Sequence, residues 1–340
     1  PARSATQDRR VVIDRVPLLN ISPFVEGSET GKQDVARRIA DACESIGFFA
    51  ITGHGVAAET IEALRRVSHN FFSRPVEEKL RTEHPVAGTP RGYRALAGEA
   101  LGRAGGGEAE PDLKEFYHIG PDGWPDDEYY VSQEGQRYFI PNLWPETPVG
   151  FREAALEYYR AMEVLEGHLL NASGIALGIE ETFFNDKVDR HVSAMRINHY
   201  PAQATPPGAG QIRAGAHTDY GMMTILMGED EPGSLQVRTR DGRWIDVETR
   251  PEFFVINIGD LMMRWTNDVW LSNMHRVVNP PPDIASKVSR ISIAFFHQPN
   301  YDAVIECIPT CAGPGRPALY PPVRSGEYRD IKYEETLVAR

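Results

Sequence analysis

The chain has 340 residues, 41% hydrophobic and 25% charged, proportions that exclude a disordered, collagenous or fibrous protein. Its 48 acidic residues outnumber 36 basic ones and leave a formal net charge of -12, with no basic cluster of the kind that binds nucleic acid. No run approaches the roughly 20 apolar residues that cross a bilayer, and the polar start from Pro1 to Arg10 has no apolar signal core, so a cytoplasmic protein without membrane association is expected.

Val11-Val12-Ile13 and Val16-Pro17-Leu18-Leu19 read as short extended pieces. Val35, Ile39, Ala42, Cys43 and Ile46 recur at helical spacing, and the apolar run Gly47 to Ile51 predicts a strand after that helix. Gly53-His54-Gly55 breaks the chain before a second helix marked by Ile61, Leu64, Val67, Phe71 and Phe72, which Pro75 stops. Residues 85–112, rich in Gly, Ala and Pro and including Gly105-Gly106-Gly107, read as an irregular loop of the sort that becomes a lid. Phe151, Ala155, Tyr158, Met162, Leu165 and Leu169 predict a long helix from 151 to 175.

Beyond residue 191 the texture changes to short apolar runs separated by turns. These are Ala194 to Tyr200, Met222 to Met227, Ser234 to Val237, Phe253 to Ile258 and Ile291 to Phe296, a spacing that predicts a sandwich or jelly roll. Asp241-Gly242, between Val237 and Trp244, predicts a hairpin turn. Cys43, Cys307 and Cys311 lack paired metal-site spacing and read as reduced thiols.

His217-Thr218-Asp219 carries two ligand-type side chains two residues apart, which an extended strand presents on one face. His275, in another strand-like setting, supplies a third. Two histidines and a carboxylate can occupy one face of an octahedral ion, leaving positions for water, co-substrate and oxygen, as in non-haem Fe(II) oxygenases. Arg290 and Ser292 alternate onto one face of a strand, a pairing suited to gripping a carboxylate. Asn198 and Tyr200 likewise share a face and could hydrogen-bond an oxoacid.

With these residues in view, the sequence resembles the isopenicillin N synthase-like branch of the 2-oxoglutarate and Fe(II)-dependent dioxygenases. The likeness covers nearly the whole chain. It runs through Pro17-Leu18-Leu19-Asn20, Gly47-Phe48-Phe49, His54-Gly55-Val56, Arg91-Gly92-Tyr93, Asp112-Leu113-Lys114-Glu115 and Asn142-Leu143-Trp144-Pro145-Glu146, then Ala216-His217-Thr218-Asp219-Tyr220-Gly221, Asn257-Ile258-Gly259-Asp260 and His275-Arg276-Val277-Val278. Gly53 departs from the asparagine that many relatives carry before His-Gly, a change confined to a turn.

The resemblance implies a mainly β fold with flanking helices, its core a double-stranded β-helix or jelly roll. It implies one catalytic domain over 1–340: a helix-rich part to about 185 packing on the barrel, the jelly-roll core at about 190–300, and a C-terminal extension over 301–340. His217, Asp219 and His275 match the iron ligands, Arg290 and Ser292 the clamp on the far carboxylate of 2-oxoglutarate, and Tyr200 a tyrosine that assists, with Asn198 beside it. The activity implied is oxygen-dependent hydroxylation of an unactivated C–H in a small molecule, with release of succinate and CO2; desaturation or ring closure are the variants. The alternatives are an Fe(II) oxidase of the isopenicillin N synthase type that does without 2-oxoglutarate and, more distantly, a non-catalytic jelly roll that binds a small molecule. No obligate protein partner is evident.

The same resemblance places Tyr93, Arg94, Phe116, Tyr117 and Phe296 over the barrel mouth as candidate substrate residues. His199, facing away from Tyr200, and His54, between two glycines, read as structural. His297 is open between the site mouth and a strand cap, and Asp260 reads as a turn residue.

Overall fold

The structure, a computed structural model, describes residues 14–102, 109–232 and 235–336. The chain starts with β1 (Leu18–Asn20), α1 (Ser22–Val25), α2 (Glu29–Ser45) and β2 (Phe48–Thr52). Ser28 caps α2 by accepting the Gly31 amide at 2.9 Å, and the helix buries the stripe Val35, Ile39, Ala42 and Cys43. Gly47, at φ +70, turns the chain from α2 into β2, and a Cβ there would collide with the Leu271 carbonyl. Next come α3 (Ala58–Phe72), α4 (Val76–Lys79), β3 (Gly92–Arg94), β4 (Glu115–Ile119), α5 (Glu128–Val131), α6 (Phe151–Ala176) and α7 (Asn185–Val188).

The second half holds β5 (Ala194–Tyr200), β6 (Ala214–His217), β7 (Met223–Gly228), β8 (Leu235–Arg238), β9 (Trp244–Asp246) and β10 (Phe254–Ile258). α8 (Asp260–Trp265), β11 (His275–Val277), β12 (Arg290–His297), β13 (Val304–Ile305), β14 (Val323–Arg324) and α9 (Ser325–Thr336) complete it. Eight strands form one sheet in the order β1-β2-β10-β7-β12-β5-β4-β3, and β6-β11-β8-β9 form a second. The fold is a jelly roll with α2, α3 and α6 packed on the outer face of the large sheet.

Strand alternation decides what each face meets. Phe49 and Ile51 of β2, Ile225 of β7 and Ile293 of β12 pack against Ile39 of α2, Leu64 of α3 and Met162 of α6. Phe48, Ala50, Val255 and Tyr200 point the other way, onto Leu235, Val237 and Val277 of the small sheet. Fully burying each large apolar side chain of this kind contributes about 1.5–3 kcal/mol.

Several expectations meet a sharper outcome here. Because β1 to β4 are strands of the large sheet itself, the N-terminal part builds the barrel as well as packing on it. Within 85–112, β3 pairs with β4, so that stretch is not irregular throughout; Gly105-Gly106-Gly107 lie outside the described residues, as do Val11-Val12-Ile13 and Ser234. The strand carrying His217 ends at that residue, which leaves Asp219 in the turn beyond it. The Asp241-Gly242 hairpin joins β8 to β9 as expected, with Gly242 at φ +87.

Candidate metal and oxoacid site

β6 and β11 run antiparallel with His217 directly opposite His275. Each imidazole is fixed by its own backbone. Nδ1 of His217 lies 2.7 Å from the Gly215 carbonyl, and Nδ1 of His275 lies 3.1 Å from that of Asn273. A carbonyl only accepts, so Nδ1 carries the proton in both rings and Nε2 is left with its lone pair. Both Nε2 atoms lie 3.8 Å from Oδ1 of Asp219. Burial, then the neighbouring His275, lowers the His217 imidazole to about 3, so it is neutral and ligand-competent at pH 7.

Asp219 is held from its other oxygen. Oδ2 accepts Thr224 Oγ1 at 2.6 Å and Asn257 Nδ2 at 2.7 Å, both from the large sheet, which leaves Oδ1 for the histidines. Burial raises the Asp219 carboxyl, but the two imidazoles and these two donors outweigh it and hold it below its ordinary value. The turn carrying Asp219 rests on the start of α8: the Asp260 amide donates to the Asp219 carbonyl at 2.7 Å, and a Cβ on Gly259 would collide with the Gly221 carbonyl. Asp260 is a brace and not a ligand, its carboxylate accepting Thr218 Oγ1 at 3.2 Å and Ser272 Oγ at 2.7 Å.

One donor atom from each of His217, Asp219 and His275 falls within 4.8 Å of the others, and no other such group of three occurs among the described residues. Two neutral imidazole nitrogens and one carboxylate oxygen on a shared face fit a divalent iron with open positions.

The triad faces a cavity of about 520 Å³ that Arg290, Ser292, Tyr200 and Asn198 also line. Arg290 stands opposite Tyr200, and Ser292 opposite Asn198, on neighbouring strands β12 and β5. The Arg290 side chain is 1% exposed, yet its Nε and Nη1 have no protein partner; Nη2 reaches Thr249 Oγ1 at 3.4 Å. Burial pulls its pKa down from the usual guanidinium range, and an arginine side chain keeps its charge in proteins. A buried guanidinium with free donors fits a carboxylate that the protein itself does not supply, as the far end of 2-oxoglutarate does.

Of the five candidate substrate residues, Arg94, Phe116 and Phe296 line the cavity. Tyr93 and Tyr117 do not. They pair with each other across β3 and β4, and alternation turns both to the opposite face: Tyr117 packs against Phe71 and Phe151, and the Tyr93 hydroxyl donates to Glu115. His199 shares that network, with Nδ1 2.8 Å from Glu115 Oε1, and His54 accepts the Val56 amide, so both are structural as expected. His297 is buried against Ser193 Oγ at 3.2 Å, away from the cavity.

Residue types alone gave no warning of an ionic cluster beside the triad. Arg196 Nη1 reaches both Glu99 oxygens at 3.2 and 3.1 Å, and Lys114 Nζ lies 2.9 Å from Glu99 and 3.2 Å from Asp112. Burial raises the Glu99 carboxyl, but Arg196 and Lys114 hold it at about 2. Asp112 Oδ1 accepts the Gly215 amide at 2.9 Å, two residues before His217. The available signal was the spacing of Asp112 and Lys114, which puts both on one face of an extended segment.

Comparison with known proteins agrees with this geometry. The family model described as 2OG-Fe(II) oxygenase superfamily matches residues 191–299, and that described as non-haem dioxygenase in morphine synthesis N-terminal matches 16–147. The 2-oxoglutarate-Fe(II) type oxidoreductase hxnY of Emericella nidulans is 37% identical over 90% of this chain and 86% of its own. A homoarginine-6-hydroxylase of Arabidopsis thaliana is 32% identical over 96% of each chain. A full-length Neurospora crassa protein crystallised with alpha-KG superposes with a TM-score of 0.82 at 30% identity, covering 98% of this chain and 100% of its own. The chain therefore belongs to the 2-oxoglutarate and Fe(II)-dependent oxygenases, enzymes of the oxidoreductase class that take Fe(II), 2-oxoglutarate and O2.

Proposed function

We propose that His217, Asp219 and His275 hold the iron and that Arg290, with Ser292, Tyr200 and Asn198, receives 2-oxoglutarate. The observation that carries this reading is the orientation of the triad: each Nδ1 is engaged by a carbonyl and each Nε2 faces Asp219 Oδ1. When bound, Fe(II) with 2-oxoglutarate and O2 supplies oxidation of a substrate C–H bond, with succinate and CO2 as the co-products.

The chain's own residues set the stage for that chemistry. Thr224 and Asn257 orient the carboxylate ligand, so the site meets the metal with little rearrangement. Arg290 fixes one end of the co-substrate, and Glu229 in turn fixes Arg290's strand by accepting the Ile291 amide at 2.8 Å. Arg94, Phe116 and Phe296 form part of the wall against which the substrate sits. The free Nε and Nη1 donors of Arg290 support a carboxylate partner there, which 2-oxoglutarate supplies.

We treat residues 1–340 as one catalytic unit because β1 to β4 of the N-terminal half flank β10, β7, β12 and β5 in a single sheet. A cytoplasmic setting, supported by three unpaired cysteines, is part of this reading. Among the described residues, no helix is long and apolar enough to cross a membrane.

Turnover tests the assignment. Iron-loaded protein should convert 2-oxoglutarate to succinate, slowly without substrate, and Asp219→Ala should abolish that conversion. Succinate formation by Asp219→Ala at the parent rate would refute the triad.

A further inference from the structure

Resting on the reading above, the far side of the same cavity specifies the charge of the substrate. His118 of β4 lies in the cavity wall, 3% exposed, and neither ring nitrogen has a protein partner. It pairs in register with Arg196 of β5 on one side and with Gly92, beside Arg91, on the other. Three guanidiniums near it are already engaged. Arg94 meets Glu83 at 3.3 Å, Arg196 meets Glu99 at 3.1 Å, and Arg91 donates to the carbonyls of Pro90, Tyr138 and Ile140 at 2.7 to 2.9 Å.

Arg329 differs from all of these. It comes from α9, is 7% exposed, and makes no ion pair or side-chain hydrogen bond with any described residue. Its guanidinium is packed between the rings of Tyr138 and Tyr333, 5.2 Å from each centroid, and its buried Nη1 has no partner. A desolvated cation with an idle donor is costly unless something negative completes it. Burial and the four surrounding guanidiniums also keep His118 uncharged, so it offers a single N–H and no second positive charge.

We propose that Arg329 and His118 form a subsite for a carboxylate on the prime substrate, separate from the Arg290 clamp. One uncompensated cation beside one neutral donor matches a singly charged, planar anion better than a doubly charged phosphate, and it repels a cation. The stem of the substrate then runs past Phe116 and Phe296, whose rings lie 4.3 and 5.7 Å from the Arg196 guanidinium, toward the triad.

The test uses intact protein loaded with Fe(II) and 2-oxoglutarate under argon. Hexanoate, benzoate, phenylacetate and cinnamate are titrated by calorimetry, each against its primary carboxamide, with phenyl phosphate as a further arm. At least one carboxylate should bind about 30-fold or more tightly than its amide, and Arg329→Gln should remove that preference while Arg329→Lys retains part of it. 2-Oxoglutarate affinity should stay within about twofold in Arg329→Gln, which also shows that the variant is folded. Amides binding as well as acids, a preference for phenyl phosphate, or an unchanged preference in Arg329→Gln would overturn the subsite. Failure of the parent protein to bind 2-oxoglutarate at all would instead overturn the reading on which the subsite rests.

Discussion

Asn257 Nδ2 donates to Asp219 Oδ2 at 2.7 Å, so a residue in the large sheet aims a carboxylate at two histidines of the small one. The two sheets are thus tied together beside the His217, Asp219 and His275 triad by a polar contact. Replacing Asn257 by Leu leaves Oδ2 with Thr224 alone and lets the carboxylate swing. Loss of such an orienting partner typically weakens metal affinity by about 10- to 100-fold. Co(II) titration of the metal-free variant checks this, and parent affinity would show that Asn257 only fills space.

Truncating Arg290 to Ala should raise the dissociation constant for 2-oxoglutarate by the equivalent of about 2–5 kcal/mol, since one partner of a buried charge pair is lost. Calorimetry on the iron-loaded variant measures it directly. Unchanged affinity would move the co-substrate to another part of the cavity.

Much of this was legible because it is local or periodic. The 3.6-residue repeat that begins at Phe151 marks α6, and the short apolar run Ala194 to Tyr200 marks β5 with its bounds. His217, Asp219 and His275 stand out because metal ligands must be of few types, and Arg290 and Ser292 because two-residue spacing puts them on one face. The facing of β3 and β4 was not legible: β4 is buried on both faces and each face of the pair carries both polar and aromatic residues, so nothing in Tyr93-Arg94 or Phe116-Tyr117 says which member meets the cavity. Arg329 escaped notice for another reason, since it reaches the site from a polar C-terminal helix far along the chain.

That facing yields a paired prediction. Phe116→Ala should raise the KM for the prime substrate while leaving 2-oxoglutarate affinity unchanged, because its ring lines the cavity. Tyr117→Phe should cost about 0.5–1.5 kcal/mol of stability, through loss of the hydroxyl's bond to the Leu143 carbonyl, with no change in KM. Steady-state kinetics beside thermal melts separate the two, and the reverse pattern would invert the assignment of faces.

Glu229, which holds the strand of Arg290 through the Ile291 amide, should set an acid limit on stability. Burial raises its carboxyl, but bonds from His69 and the Ile291 amide, with Arg65, hold it at about 2 against an ordinary 4.5. A depressed folded pKa contributes stability that is complete above the unfolded value and disappears as pH falls through the folded one, here from about 4.5 to about 2. Glu229→Gln should therefore lose stability at pH 7 and show a flatter acid limb between these values. Melting curves across that range check it; an unchanged slope would assign acid sensitivity elsewhere.

Glu166 has the opposite sign. It is buried in α6 with neither oxygen partnered, and burial raises its carboxyl to about 8. The folded chain then holds a proton that the unfolded chain releases, so stability falls as pH rises from about 4.5 to about 8. Glu166→Met should raise Tm, and by more at pH 8 than at pH 5. An equal gain at both values would mean that the carboxyl titrates normally.

The measurement closest to the central claim is anaerobic addition of Fe(II) and then 2-oxoglutarate to metal-free protein, followed in the visible spectrum. A weak charge-transfer band should appear only when both are present, vanish in His217→Ala, and need far more 2-oxoglutarate in Arg290→Ala. Tight iron binding without that band in the parent protein, or an unaltered band in His217→Ala, would contradict the assignment of the site.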